Sequence, residues 1–238
     1  MNTKFKLKAN RLSDCYYQNV YNCTANEGFN GFLFNFTHRA LERIPRLSNG
    51  GKRKVSSRVL EVGAGAGQHL QFVEKTYSEY TMTDINSLLM LKNNRESNLA
   101  KIKYKVADIQ NLPFKTSSFD RVISTCLLHH LDDVEKALSE IKRVTKKGGL
   151  VSIYLSCDPG ILNRLLRRLL IIPKARKLGF DDYPIFIARE HKNHFSSINS
   201  MISAVFKSQS IRKKYYPFYI KSWNLNTFCI FQIQINSK

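Results

Sequence analysis

Apolar residues along this chain recur with two spacings. Short runs of strand length fall at 59–62, 80–84, 103–107, 121–125 and 150–155, several with polar or turn residues at their ends. Helical spacing predicts helices at about 32–44, ended near Pro45, and at 134–144, with basic residues in the last turn and Gly148-Gly149 as the stop. A third helical stripe covers 161–170, where Leu162, Leu165, Leu166, Leu169 and Leu170 are interspersed with Arg164, Arg167 and Arg168, and Pro173 is expected to break it. A further helix is expected at 195–206. Two closing strands follow at 211–218 and 225–235, the last alternating Phe231, Ile233 and Ile235 with Gln232 and Gln234. Residues 1–30 are polar and aromatic, with Tyr16, Tyr17, Tyr21 and Phe29, and 48–54 reads as a loop around Gly50-Gly51.

The first apolar run leads straight into three glycines at alternate positions, Gly63-Ala64-Gly65-Ala66-Gly67. The spacing is G-x-G-x-G, unlike the G-x-G-x-x-G of dinucleotide cradles, and no Gly-Lys-Ser/Thr follows, so a pyrophosphate is not the expected guest. Glycine here either gives a small ligand room or supplies a backbone angle closed to other residues. The second run ends in Asp84, seventeen residues after Gly67, where a carboxylate is placed to accept two hydrogen bonds from a vicinal diol such as a ribose. The third ends in another acid, Asp108.

With these segments in this order the chain resembles the class I S-adenosylmethionine-dependent methyltransferases, nearest the branch that contains the ubiquinone/menaquinone and small-molecule enzymes. The resemblance covers about residues 55–155. It implies a Rossmann-like α/β fold: a seven-stranded sheet, mostly parallel with an antiparallel final strand, and helices on both faces. The chain would then be one domain, with an N-terminal arm and helix (1–54), a cofactor-binding core (55–155), and a substrate lid with closing strands (156–238). The resemblance further implies that Gly63, Ala64, Gly65 and Gly67 pass beneath the methionine part of S-adenosylmethionine, with Glu61 near its ammonium. Asp84 would hold the ribose, Ile85 would pack on the adenine, and Asp108 with the backbone of Ile109 would read the adenine edge.

Charge changes the picture mainly by its distribution. The net +20 comes from 11 basic against 3 acidic residues over 1–58, 13 against 11 over 59–155, and 14 against 4 over 156–238. The cofactor core is nearly neutral, and the excess sits on the expected lid and arm. Clusters such as Arg164/Arg167/Arg168, Lys174/Arg176/Lys177 and Arg212/Lys213/Lys214 suit an anionic partner: a phosphorylated or lipid-linked small molecule, an anionic membrane face, or RNA. Five cysteines without a C-x-x-C pair point to neither a disulfide framework nor a zinc site. A polar, basic opening without an apolar run, and no stretch of membrane-spanning length, make cytoplasm the expected compartment.

A sulfonium-activated methyl group asks the protein chiefly for alignment, but a hydroxyl acceptor also needs a base. The candidates are His130, after the fourth run, and His191 and His194 in the Arg-Glu-His stretch before the last helix; a structural alternative has His129 and His130 serving helix entry with Asp132 and Asp133. No Asn/Asp-Pro-Pro-Tyr/Phe follows the fourth run, and Cys126 lacks the proline of a Pro-Cys nucleophile. The expected function is methyl transfer to a small or lipid-linked metabolite, most plausibly a hydroxyl of a phosphorylated sugar or surface-glycan precursor. An RNA methyltransferase and a non-catalytic cofactor-binding scaffold are the rivals.

Overall fold

A computed structural model describes residues 28–43, 57–73, 77–86 and 101–236. The aromatic segment before residue 28 and the 48–54 loop lie outside them. Seven strands form one sheet: β1 (Ser57–Val62), β2 (Tyr77–Asp84), β3 (Ile102–Val106), β4 (Phe119–Thr125), β5 (Thr145–Ser156), β6 (Ser210–Tyr216) and β7 (Phe228–Gln234), in the order β3-β2-β1-β4-β5-β7-β6. Strands β1 to β5 pair in parallel, and β7 runs antiparallel to both β5 and β6. The expected fold class is therefore the observed one.

Parallel central strands are covered on both faces, which is why β1 reads as an apolar run rather than an alternation. Leu60 and Val62 join a core with α2 (Val134–Val144) and α6 (Phe195–Val205), while Val59 faces the opposite way with Ala40 and Leu41 of α1 (Gly28–Glu42). In α2, Val134, Ala137, Leu138, Ile141 and Val144 form the buried stripe, and the Asp133 side chain accepts from Lys136 N at 2.9 Å as N-cap.

Beyond β5 the structure differs from the expected break at Pro173 and adds two features that the sequence pattern did not settle. The arginine-leucine stripe does not cover the sheet: α3 (Ile161–Leu166) buries none of its side chains, and Ile161, Leu165 and Leu169 are at least half exposed. Pro173 does not break the helix either. A π-helical stretch, Arg167–Ile171, runs on into α4 (Ile172–Lys177), and Pro173 sits just after this widened stretch, where the regular hydrogen-bond ladder is already interrupted. Finally, α5 (Tyr183–Glu190) was not foreseen; its Tyr183 and Phe186 join Ala175 and Phe180 in a small separate core.

The α1 face of the sheet holds a buried polar network. Arg121 donates through both terminal nitrogens to Glu42, at 2.8 and 2.7 Å, and through Nε to Ser152 Oγ at 3.1 Å. Ser152 donates to Gln232, and Gln232 donates to the Leu41 carbonyl, so this glutamine, alternating on paper with core residues, is itself buried. His69 Nε2 donates to Glu42 at 3.1 Å, and its Nδ1 lies 2.7 Å from His38 Nδ1, where one ring must accept from the other. Burial alone would raise the Glu42 carboxyl, yet Arg121 and His69 pull it down to about 2. Burial, reinforced by His69, pushes the His38 imidazole from 6.5 down to about 3. Between those two values the unfolded chain binds a proton at His38 that the folded chain refuses, so stability is full above about pH 6.5 and falls as pH drops towards 3. Urea unfolding at pH 7.5, 5.5 and 4.5 should show a midpoint that falls with pH, and His38→Gln should make that fall shallower; a variant whose midpoint falls as steeply as the wild type's would contradict the buried neutral His38.

Candidate active site

The carboxyl ends of the parallel strands meet along one edge, and the glycine turn opens it. Gly63, Gly65 and Gly67 adopt φ of +64°, +51° and +67°, all left-handed. The two reasons for glycine separate here. A Cβ on Gly65 would meet nothing within 4 Å, so its backbone angle alone requires glycine, whereas one on Gly63 would also lie 2.5 Å from the Leu127 side chain. The turn is closed by Gly67 N donating to Ala64 O at 2.8 Å, and Ala64 N donates to Thr83 O on β2.

Asp84 ends β2 beside this turn. Its Oδ2 accepts from Gly65 N and its Oδ1 from Asn86 N, both at 2.8 Å, which leaves each oxygen a second lone pair for a ligand. Next to it Ile85 is 73% exposed, an uncovered apolar side chain at the same edge. Asp108 caps the turn Ile109–Asn111 by accepting from Gln110 N at 2.8 Å, and Ile109 is buried. Glu61 is placed differently from these. It points into the α1 face, 1% exposed, accepting from the Tyr80 hydroxyl at 2.8 Å; burial raises its pKa, and its Oε1 has no hydrogen-bond partner among the described residues.

After β4 the chain turns at Cys126, itself at φ +52°, and enters the turn Leu128–His130. Burial, then Asp158, pushes the Cys126 thiol up to about 12, so it stays protonated and is no nucleophile. The segment between α5 and α6 laces onto this turn. His129 Nδ1 donates to Asn193 O at 2.8 Å and His130 Nδ1 to Glu190 O at 3.0 Å, while Asn193 Nδ2 donates to Leu131 O at 2.7 Å. A carbonyl only accepts, so both rings carry their proton on Nδ1 and present Nε2 as an acceptor. His191 stacks on His129, with centroids 5.1 Å apart, and meets His130 edge-on at 5.2 Å.

Burial lowers the pKa of all three rings, and that of His191 falls to about 3, with His129 the next cause. His129 is fully buried, whereas the His130 side chain is 26% exposed and open to a ligand. The structure thus brings His130 and His191 together and adds His129, but leaves His194 exposed as the N-cap of α6. The helix-entry role falls to Asp133 alone.

Sequence reasoning missed a buried acid that faces this cluster. Asp158, two residues beyond β5, accepts from Arg167 at 2.6 Å and from Ser156 Oγ at 2.9 Å, and its Oδ2 lies 3.5 Å from His191 Nδ1. Burial would raise this carboxyl, but the Arg167 guanidinium beside it holds it below the usual carboxylate range. The signal was present: like Asp84 and Asp108, it is an acid just past a strand end.

Residues 60–153 match a family model described as a methyltransferase domain. Among curated proteins, a fatty-acid O-methyltransferase of Mycolicibacterium smegmatis is 27% identical over 70% of this chain and 57% of its own length. A squalestatin hexaketide synthase of a Phoma species is 28% identical over 60% of this chain and 6% of its own. The chain thus spans less than two thirds of either relative. A solved S-adenosylmethionine-dependent methyltransferase from Thermotoga maritima shares the fold at a TM-score of 0.58 and 14% identity, over 98% of both chains.

The Arg167–Asp158 pair generates a prediction of its own. Arg167→Ala leaves a buried carboxylate without its cation and should lower unfolding stability by roughly 2–4 kcal/mol, much of which the double variant with Asp158→Asn should recover. Chemical denaturation of the two variants checks this; a double variant as unstable as the single would contradict it.

Proposed function

We propose that this chain, whose residues 60–153 match a methyltransferase domain, transfers a methyl group from S-adenosylmethionine to a hydroxyl oxygen of an anionic metabolite bearing a phosphate or lipid group. The observation that carries the hydroxyl is His130: a neutral, part-exposed imidazole with Nε2 free to accept, three residues beyond the Leu127 that packs on Gly63. S-adenosylmethionine supplies a methyl group already activated as a sulfonium. The open space over Gly65, the spare lone pairs of Asp84 and the uncovered Ile85 fit such a cofactor; these residues, with Gly63, Ala64 and Gly67, would hold it, and Asp108 and Ile109 would meet its base.

The chain then has two tasks. It aligns the acceptor oxygen with the methyl carbon, which can contribute about 7–11 kcal/mol. It also takes the hydroxyl proton on His130 Nε2 as the oxygen–carbon bond forms and the carbon–sulfur bond breaks. His191 and His129 support the base by stacking and edge contact, and Asp158 orients His191. A phosphorylated sugar or glycan precursor meets this description, as does a hydroxylated lipid. The fatty-acid methyltransferase among the relatives suggests a carboxylate instead, and that acceptor, already ionised, would need no base.

Two experiments test the reading. Asp84→Ala should weaken S-adenosylmethionine binding by about 1.5–3 kcal/mol, as for a hydrogen bond to a charged group, measured by calorimetry; an unchanged constant would remove Asp84 from the site. His130→Ala should lower turnover about 10²- to 10⁴-fold on the acceptor found by labelling separated cell fractions, with cofactor affinity unchanged. Burial lowers the His130 pKa, so wild-type activity should hold at neutral pH and decline only below the ordinary histidine value of 6.5, as the ring takes up its proton. Full turnover by His130→Ala would favour a carboxylate, carbon or nitrogen acceptor.

A further inference from the structure

The helix that pins Asp158 from one side shows a different chemistry on the other. Arg167 and Asn163 turn inward: Asn163 donates to Ser156 Oγ and to Thr227 O, and Arg167 pairs with Asp158. Ile161, Arg164, Leu165 and Arg168 turn outward and line an open groove of 340 Å³, with Leu169 61% exposed just beyond. Spacings of three and four residues put these side chains on one face. Ahead of α3, Gly160 packs against the backbone of the β6–β7 connection, where a Cβ would lie 2.6 Å from Trp223 O; that connection exposes Phe218, Tyr219 and Ile220. Exposed Arg176 and Lys177 follow on α4.

We propose that this face docks the protein on an anionic lipid surface. Long aliphatic side chains left in water beside arginines are the pattern of an interfacial helix, in which leucines enter the acyl boundary and guanidinium groups reach the phosphates on flexible stems. The segment from 156 onward carries 14 basic against 4 acidic residues, so the field around the face has the sign that attracts anionic headgroups. Among the described residues the groove itself is lined by isoleucine, leucine and arginine, a set that suits acyl chains and phosphates better than the stacking of nucleobases. Because Arg167 on the inner face holds the acid that faces His191, a docked helix would bring a membrane-held acceptor close to the histidine cluster. That last link rests on the methyl-transfer reading; the docking itself does not.

The test is sedimentation of the whole chain, without cofactor, with vesicles of phosphatidylcholine alone or of equal parts phosphatidylglycerol and phosphatidylcholine. The wild type should pellet only with the anionic vesicles. Arg164→Ala/Arg168→Ala should reduce partitioning about 25-fold, at roughly a factor of five per cation near an anionic surface, and Leu165→Ser/Leu169→Ser should also lose binding. All four positions are exposed or line the surface groove, and thermal melts will show whether the variants keep the wild-type fold. Wild type left in the supernatant, equal pelleting with neutral vesicles, or folded variants that pellet like wild type would each overturn the proposal. Displacement from the vesicles by single-stranded RNA with a steep salt dependence would overturn it in favour of a nucleic-acid partner. Calorimetric titration of the same preparations with S-adenosylmethionine reports on the methyltransferase reading separately.

Discussion

Parallel pairing of β1 to β5 is the constraint on which the site depends. Parallel strands place all their carboxyl ends on one edge, and the order β3-β2-β1-β4-β5 puts the glycine turn after β1 between the acid of β2 and the histidine turn of β4. Gly63 and Leu127, 64 positions apart, thereby become neighbours without any local sequence relation. The contact between Leu127 and Gly63 shows how close the turns come: a methyl group at Gly63 would displace the Leu127 side chain, three residues before His130.

Each face of the sheet handles buried charge in its own way. On the α1 face, Glu42 accepts from both arms of Arg121 and from His69 Nε2, so the carboxylate and guanidinium satisfy one another away from water. Such a pair adds little net stability, but loss of one member would leave the other charged and unpaired. It ties α1 to β4, and His69 extends the tie to the segment that follows Gly67. At the strand-end edge the same physics keeps three imidazoles neutral beside one ion pair, Asp158 with Arg167. Neutral rings are acceptors, and that is the protonation state a base requires.

The strands, the fold class and the glycine turn were legible in the sequence because each rests on local signals: apolar run, positive-φ glycine, acid at the strand end. The partners of the histidines were not. His129 and His130 are hydrogen-bonded to carbonyls at 193 and 190, contacts across 64 and 60 residues that no spacing rule encodes. Periodicity told that 161–170 is helical but not which way it faces, since a leucine stripe reads alike towards a sheet or towards a partner. Gln232 shows the same limit: alternation assigned it to the polar side, and tertiary pairing with Ser152 and Leu41 buried it. Glu61, adjoining the glycines in sequence, is buried on the α1 face with Tyr80, because its strand neighbours Leu60 and Val62 take the other face.

The central claim is that this edge holds S-adenosylmethionine in a position to give its methyl group to an acceptor beside His130. A crystal structure with S-adenosylhomocysteine tests it most directly. The account predicts the amino-acid part over Gly63 to Gly67, the ribose hydroxyls on Asp84, and the sulfur turned towards the Leu128–His130 turn. A ligand bound elsewhere on the chain, or one whose sulfur faces away from the histidines, would contradict it.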